Sequence, residues 1–421
     1  MATKRWVSGA QSYKDVWTLT LSGTVTSQTY TVTVGNKTIT YTADGSATAA
    51  VVLLAIYNLW ISVTSPVPQE FKELVATVDN ATTPTSVTLT GTVTGVSHTV
   101  AFSTGGGASP VSTHTTSATG PFWFDNAANW STNSAPANGD VLVFDSGSVP
   151  CKYGLSTSLT TITVNVNPGY SGQIGLPDTN TDGPSYQEYR TTKLTLTGGT
   201  ATINAPNVNL IGLAFGSTPA TVRVLNSGNG LNGTPAILIT GGAASSEIDI
   251  TKGNVGLAYF STETANFPTI KMGYVANQAA DAQLWAGVGL TTTTITKYGG
   301  VLKLYCNATT LTQEASGGTV TLFNAVTLTT WNLSGGEGNW ATTGTIGTIN
   351  VKNDGHLNAD VDPRGKTTTN SINIWGDNAS IDDNYKTVNS AGAGAGILSV
   401  VSIGTPPGNI RHGLSNTTVQ T

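Results

Sequence analysis

The chain has 421 residues, more than one compact core usually organises, so its length calls for several domains or an extended repeat array. Only 10% of residues are charged and the net charge is -5, with 18 Lys and Arg that never cluster, which argues against a nucleic-acid or anionic-membrane surface. A 38% share of hydrophobic residues excludes a disordered chain, while 49 glycines and abundant β-branched Thr, Val and Ile favour short strands closed by tight turns.

The first residues, Met1-Ala2-Thr3-Lys4-Arg5-Trp6, lack the apolar segment of a secretory signal. No stretch approaches the ~20 apolar residues of a membrane span. The expectation is synthesis in the cytoplasm without a signal peptide or membrane insertion.

Residues 15–104 read as a small α+β module. Trp17-Thr18-Leu19-Thr20-Leu21 and Tyr30-Thr31-Val32-Thr33-Val34 alternate apolar and polar side chains, and Gly35-Asn36 is a tight turn into Thr38-Ile39-Thr40-Tyr41. Ser46 is the expected cap of a helix over residues 47–62, with Leu53, Ile56, Tyr57 and Trp60 at helical spacing. Strands at 74–78, 86–90 and 99–103 complete a β-β-β-α-β-β-β order. Residues 105–120 are rich in Gly, Ser and Thr and read as a linker.

At Phe122 the pattern changes. Trp123 and Trp130 flank Asp125-Asn126-Ala127-Ala128-Asn129, and residues 136–140 lead into Val141-Leu142-Val143-Phe144. From Thr161 short alternating strands recur, among them Thr221-Val222-Arg223-Val224, Thr269-Ile270-Lys271-Met272, Val301-Leu302-Lys303-Leu304 and Thr348-Ile349-Asn350-Val351. So many short strands with irregular turns fit a parallel β-helix, or β-solenoid, better than an array of β-sandwiches. Inward Val, Ile and Leu would stack into a core; outward Thr and Asn would hydrogen-bond along the stack, where like charges would repel. The solenoid is expected over 121–386. Residues 387–421, with the Ala391-Gly392-Ala393-Gly394-Ala395-Gly396 run, a strand candidate at 397–403 and Pro406-Pro407, read as a C-terminal arm or cap.

Two resemblances concern the first third of the chain. The run from Tyr30 through the Tyr41-Thr42-Ala43-Asp44-Gly45 turn into an Ala-rich helix, followed by Val75-Ala76-Thr77-Val78, resembles a module recurrent in tailed-phage virion proteins. The Asn129-Trp130 pair and the Pro136 to Asp140 turn resemble the opening of bacterial and phage β-helix proteins, and Trp6-Val7-Ser8-Gly9 looks like the start of that opening. The module would then be inserted into the solenoid after residues 1–14, with its two ends close together. What the resemblance implies is a virion surface protein of a tailed phage: a capsid spike, decoration or tail fibre, homotrimeric, contacting capsid or tail proteins and host surface glycans. The alternatives are a tailspike depolymerase on the same scaffold and a bacterial surface adhesin.

Catalytic motifs do not stand out, and the expectation is a chain without enzymatic activity, cofactor or metal. Asp354, Asp360 and Asp362, and then Asp377, Asp382 and Asp383, form two carboxylate groups that suit a glycosidase acid/base pair, a loose calcium loop or turn chemistry; turn chemistry is preferred, and the alternating Asp/Asn calcium pattern with a closing Glu is absent. Glu247, Glu263, Glu314 and Glu337 are scattered, and His98, His114, His356 and His412 have no metal spacing; all are expected to be solvated. Cys151 and Cys306 are expected to be buried free thiols rather than a disulfide. Trp285, Trp331, Trp340 and Trp375 have two readings, a sugar-stacking platform or core and subunit packing, with packing preferred.

Overall fold

In the computed structural model the described residues are 2–23, 25–62, 67–177, 186–275, 278–279, 281–314, 318–389, 398–403, 409–412 and 417–420. Most strands belong to one parallel stack, so the chain is a β-solenoid carrying a small domain inserted near its N-terminus. Each coil lies over the next through main-chain hydrogen bonds, and alternation along every strand sends one set of side chains inward. Leu142 lies over Val164, Val164 over Ala201, Ala201 over Val222, and the same inward row runs on through Ile248, Ile270, Ile295, Leu311, Trp331, Ile349 and Ile372. A second wall stacks Val255, Leu284, Leu302, Val320, Gly338, Leu357 and Ile381 in register. These rows merge into one continuous core reaching from Trp6 to Val388.

Outward rows are polar and self-pairing. Thr269, Thr294, Thr310, Thr330, Thr348 and Ser371 follow one another up one face. Beside them Asn332 donates to Thr312 Oγ1 (3.3 Å), Asn350 to Asn332 Oδ1 (2.8 Å) and Asn373 to Asn350 Oδ1 (2.8 Å). An amide both donates and accepts, so identical residues satisfy each other at the coil repeat, as the composition led one to expect. Where charges do stack, their signs alternate: Arg223, Asp249 and Lys271 are successive register partners.

Some side chains break the apolar rule, Lys297 and Gln313 among them. These two occupy the inward row between Met272 and Leu333, and both are fully buried. Gln313 Nε2 donates to the carbonyl of Gly318 (3.0 Å), while burial pushes the Lys297 ammonium down to about 8.

The inserted module has its own core, separate from that of the solenoid. A four-stranded antiparallel sheet orders the strands Leu74–Val78, Ser86–Gly91, Val16–Gly23 and Ala108–Thr116; a three-stranded one orders Lys37–Thr42, Thr29–Val34 and Val100–Thr104. The helix Ala49–Ile61 buries Val52, Leu53, Ile56 and Trp60. Its cap is Thr48, whose hydroxyl accepts from Val51 N, rather than Ser46; the Ser46 hydroxyl donates to Asp44 (2.9 Å) and is held in the preceding turn. The stretch read as a linker is also different. Ala108–Thr116 is a strand paired along Val16–Gly23, because it supplies the edge that Val16–Gly23 would otherwise leave open.

Insertion is visible at the joint. Thr3–Arg5 pairs with Val141–Val143 as the first rung of the stack, and the chain leaves and returns where Tyr13 and Thr119 form an antiparallel bridge. The two ends are therefore adjacent. Trp6, Trp130 and Phe144 pack against each other over this joint, with Trp6 and Trp130 5.3 Å apart edge to face. Asn129 is buried there and ties the turn, accepting from Ala10 N and donating to the carbonyls of Gly120 and Trp123. The segment after residue 185 reaches back onto the module, where Arg190 pairs with Glu73 (2.9 Å) and Tyr189 Oη donates to Glu73 (3.1 Å).

The tail reads from sequence as an arm or a cap with one strand. Leu398–Ile403, Ile410–His412 and Thr417–Gln420 pair parallel to earlier coils and prolong the stack. The Ala-Gly run 391–396, Ile397 and Pro406-Pro407 lie outside the described residues.

Candidate functional site

The four tryptophans separate by register. Trp331 and Trp340 are fully buried: Trp331 continues the inward row between Leu311 and Ile349, and Trp340 lies over Leu322. Gly338 makes room for the larger ring, since a Cβ there would meet Trp331 Cζ2 at 2.6 Å. Neither can contact a glycan, which corrects the platform reading for both. Trp375 is half-buried on the outside, with Lys352 Nζ 4.8 Å from its ring centre.

Trp285 is the outward member that heads a row of rings. Tyr305 stacks on it at 4.7 Å and 19°, and Phe323 on Tyr305 at 4.5 Å and 5°. Stacked rings cover one another's faces, so only the end of such a row is available to a ligand. At that end the register partner of Trp285 is Gly256. Trp285 borders a cleft of about 110 Å³ lined also by Pro235, Asn254, Tyr259, Gln283 and Lys303. Tyr259 stands 5.1 Å from Trp285, tilted by 59°. Asn254 and Gln283 are register partners on the strands Gly253–Leu257 and Ala282–Ala286, which places two amides side by side. Lys303 Nζ lies 5.2 Å from the Trp285 ring centre and makes no ion pair among the described residues.

The carboxylates do not converge as a free acid pair. Asp354 accepts from Asn378 Nδ2 (2.8 Å), Asp360 from Asn384 Nδ2 (2.6 Å), and Asp362 from Arg364 N and Nε (2.8 and 3.0 Å). Hydrogen bonds from Arg364 hold Asp362 down at about 2. Asp383 is buried and accepts from Thr387 N (2.7 Å) and Val388 N (3.1 Å), so it closes a turn. Asp382 does meet other chemistry. On the outer face His356 Nδ1 lies 2.8 Å from Ser380 Oγ, and its Nε2 lies 3.8 Å from Asp382, beside Asp377, Asn378 and Arg411 in a pocket of about 330 Å³.

Two histidines expected to be solvated are structural partners at the joint. Asp15 is buried and accepts from His98 N (2.8 Å), Ala118 N (2.9 Å) and Trp17 Nε1 (3.0 Å); His114 Nε2 approaches it at 2.6 Å, with Trp17 stacked on the His114 ring. Burial alone would push the Asp15 carboxyl up, but the hydrogen bonds from His98 and His114 outweigh it and hold the group at about 2. Glu263 is likewise paired, with Lys193, and Glu337 accepts from Asn358 (3.3 Å), whereas Glu247 is exposed. The His412 side chain lies outside the described residues. Cys151 and Cys306 are free and buried; desolvation pushes the Cys306 thiol up to about 12, so it is not a nucleophile at neutral pH.

No group of three or more His, Cys, Asp or Glu among the described residues is arranged to hold a metal ion, and no helix there is long and apolar enough to cross a membrane. No family model, curated protein or solved structure matches the chain. Function must be read from the fold and from these three sites. Arg190, Lys297 and Tyr259 escaped the sequence reading. The one available signal was the recurrence of Trp285, Tyr305 and Phe323 a coil apart.

Proposed function

We propose that this chain is a non-enzymatic structural protein of a tailed-phage particle, projecting as a rigid homotrimeric spike, capsid decoration or tail fibre. The observation that carries the reading is the stack itself, whose register runs from Thr3 to Gln420 under outer rows of Thr and of self-paired Asn. Main-chain bonds repeated at every coil give a stiff rod with slow unfolding, which suits a part that must survive outside a cell. Trimerisation would cover the sides and ends that a single rod leaves open. The inserted module, braced by Glu73 and Arg190, is a rigid head suited to docking on capsid or tail proteins. Mass analysis of purified particles, with light scattering on the isolated chain, tests this. The expected result is a fixed copy number per particle and a solution mass of three chains. Absence from particles, or a lone chain in solution, overturns it.

The depolymerase reading draws on one observation, the placement of His356 between Ser380 and Asp382. With Arg411 and Asn378 sharing the pocket, the group is read as a polar surface contact. Incubation with capsular polysaccharide should release neither reducing ends nor acyl groups.

A further inference from the structure

The cleft above Trp285 combines three kinds of group that one ligand class needs together. The first is the Trp285 indole, which borders the cleft, with the Tyr259 ring inclined beside it. Apolar C–H faces of a pyranose pack on such a ring, and the covered rings of Tyr305 and Phe323 hold the indole in place from the other side. The second is the amide pair of Asn254 and Gln283, each able to donate to and accept from ring hydroxyls. The third is Lys303, a cation at the cleft with no carboxylate within ion-pair distance among the described residues, although the chain as a whole is acidic. A neutral sugar would leave that ammonium without a partner; a carboxylated one would supply it.

We propose that this cleft binds a single carboxylated pyranose unit of an acidic polysaccharide, with Trp285 as the stacking floor, Tyr259 as the side wall, Asn254 and Gln283 reading hydroxyls and Lys303 reading the carboxylate. This rests on the reading of the chain as a surface spike and names what its wall would meet. The small volume, about 110 Å³, fits recognition of one unit within a longer chain. Many such contacts along an assembled particle would add up to firm attachment.

The test uses the full chain and calorimetric titration with oligogalacturonate, oligomannuronate and sialyllactose, each set against its methyl ester. At least one acid form should bind, with its ester about tenfold weaker. Trp285→Ala should abolish binding. Lys303→Gln, at an exposed position, should keep the fold and bind acid and ester alike. The proposal is overturned if no acid form binds, or if Lys303→Gln retains the preference for the acid. Binding is measured on isolated protein, so it can fail while the particle assay succeeds, and the reverse.

Discussion

The inserted module and the solenoid use the same few residue types and reach opposite architectures. In the module each strand of the Thr29–Val34 and Lys37–Thr42 pair finds its partner across a two-residue turn, and the sheets wrap a helix into a closed core. Along the main stack of the solenoid the described strands pair in parallel, each with a strand one coil away, and the core continues from coil to coil. A closed core is stabilised as a unit, whereas a stacked one is a sum of neighbour contacts that tolerates local damage. The polar exceptions divide the same way. Asp15 is held by hydrogen bonds where the two regions meet, and Lys297 is a desolvated charge inside one coil.

The largest expected effect comes from breaking the stacked core. Trp331→Ala should cost about 3–5 kcal/mol and loosen adjacent coils, while leaving the module's hydrogen-exchange protection intact. Uniform loss of protection in both regions would mean that they unfold together. Next is the joint. Asp15→Asn, which keeps the shape and removes the charge between His98 and His114, should cost roughly 3 kcal/mol by denaturant titration. The sign in pH follows from the lowered Asp15 value: its contribution is complete above the ordinary carboxylate value of 3.8 and is lost as pH falls towards about 2. Acid unfolding of the wild type should steepen in that window, and that of Asp15→Asn should not.

Lys297 sharpens the contrast in the alkaline range. Its folded value of about 8 lies below the ordinary 10.5, so the unfolded chain holds more protons between them and stability should rise with pH across that window. The gain is at most about 3 kcal/mol, and Lys297→Met should flatten it in thermal melts. The smallest effect belongs to the outer rows. Asn350→Ala removes the bond to Asn332 and the one from Asn373, at half-exposed positions, and should cost about 1 kcal/mol without changing the core. A much larger loss would mean that the asparagine row, rather than the apolar rows, sets the register.

Legibility followed the range over which a signal acts. Alternation in Thr269-Ile270-Lys271-Met272 and its relatives announced strands with one buried face, and their number and irregular turns announced a stack. Lys297, two residues after Ile295 on the inner side, escaped the sequence reading because a lysine argues for the outer face. Trp331 was ambiguous because an aromatic ring suits both a core and a surface, and only register with Leu311 and Ile349 decides.

The amino-acid order alone determined the β-solenoid, the small inserted domain with its hairpin and helix, and the low-charge outer surface. These are properties of period, turn chemistry and composition, which act over a few residues. Tertiary structure alone decided that Asp15 would sit between two histidines, that Arg190 would brace the module, and that Trp285 would border a cleft with Tyr259 and Lys303. Those pairings join residues separated by whole coils or by the insertion, and loop lengths that vary from coil to coil hide the register until the chain has closed on itself.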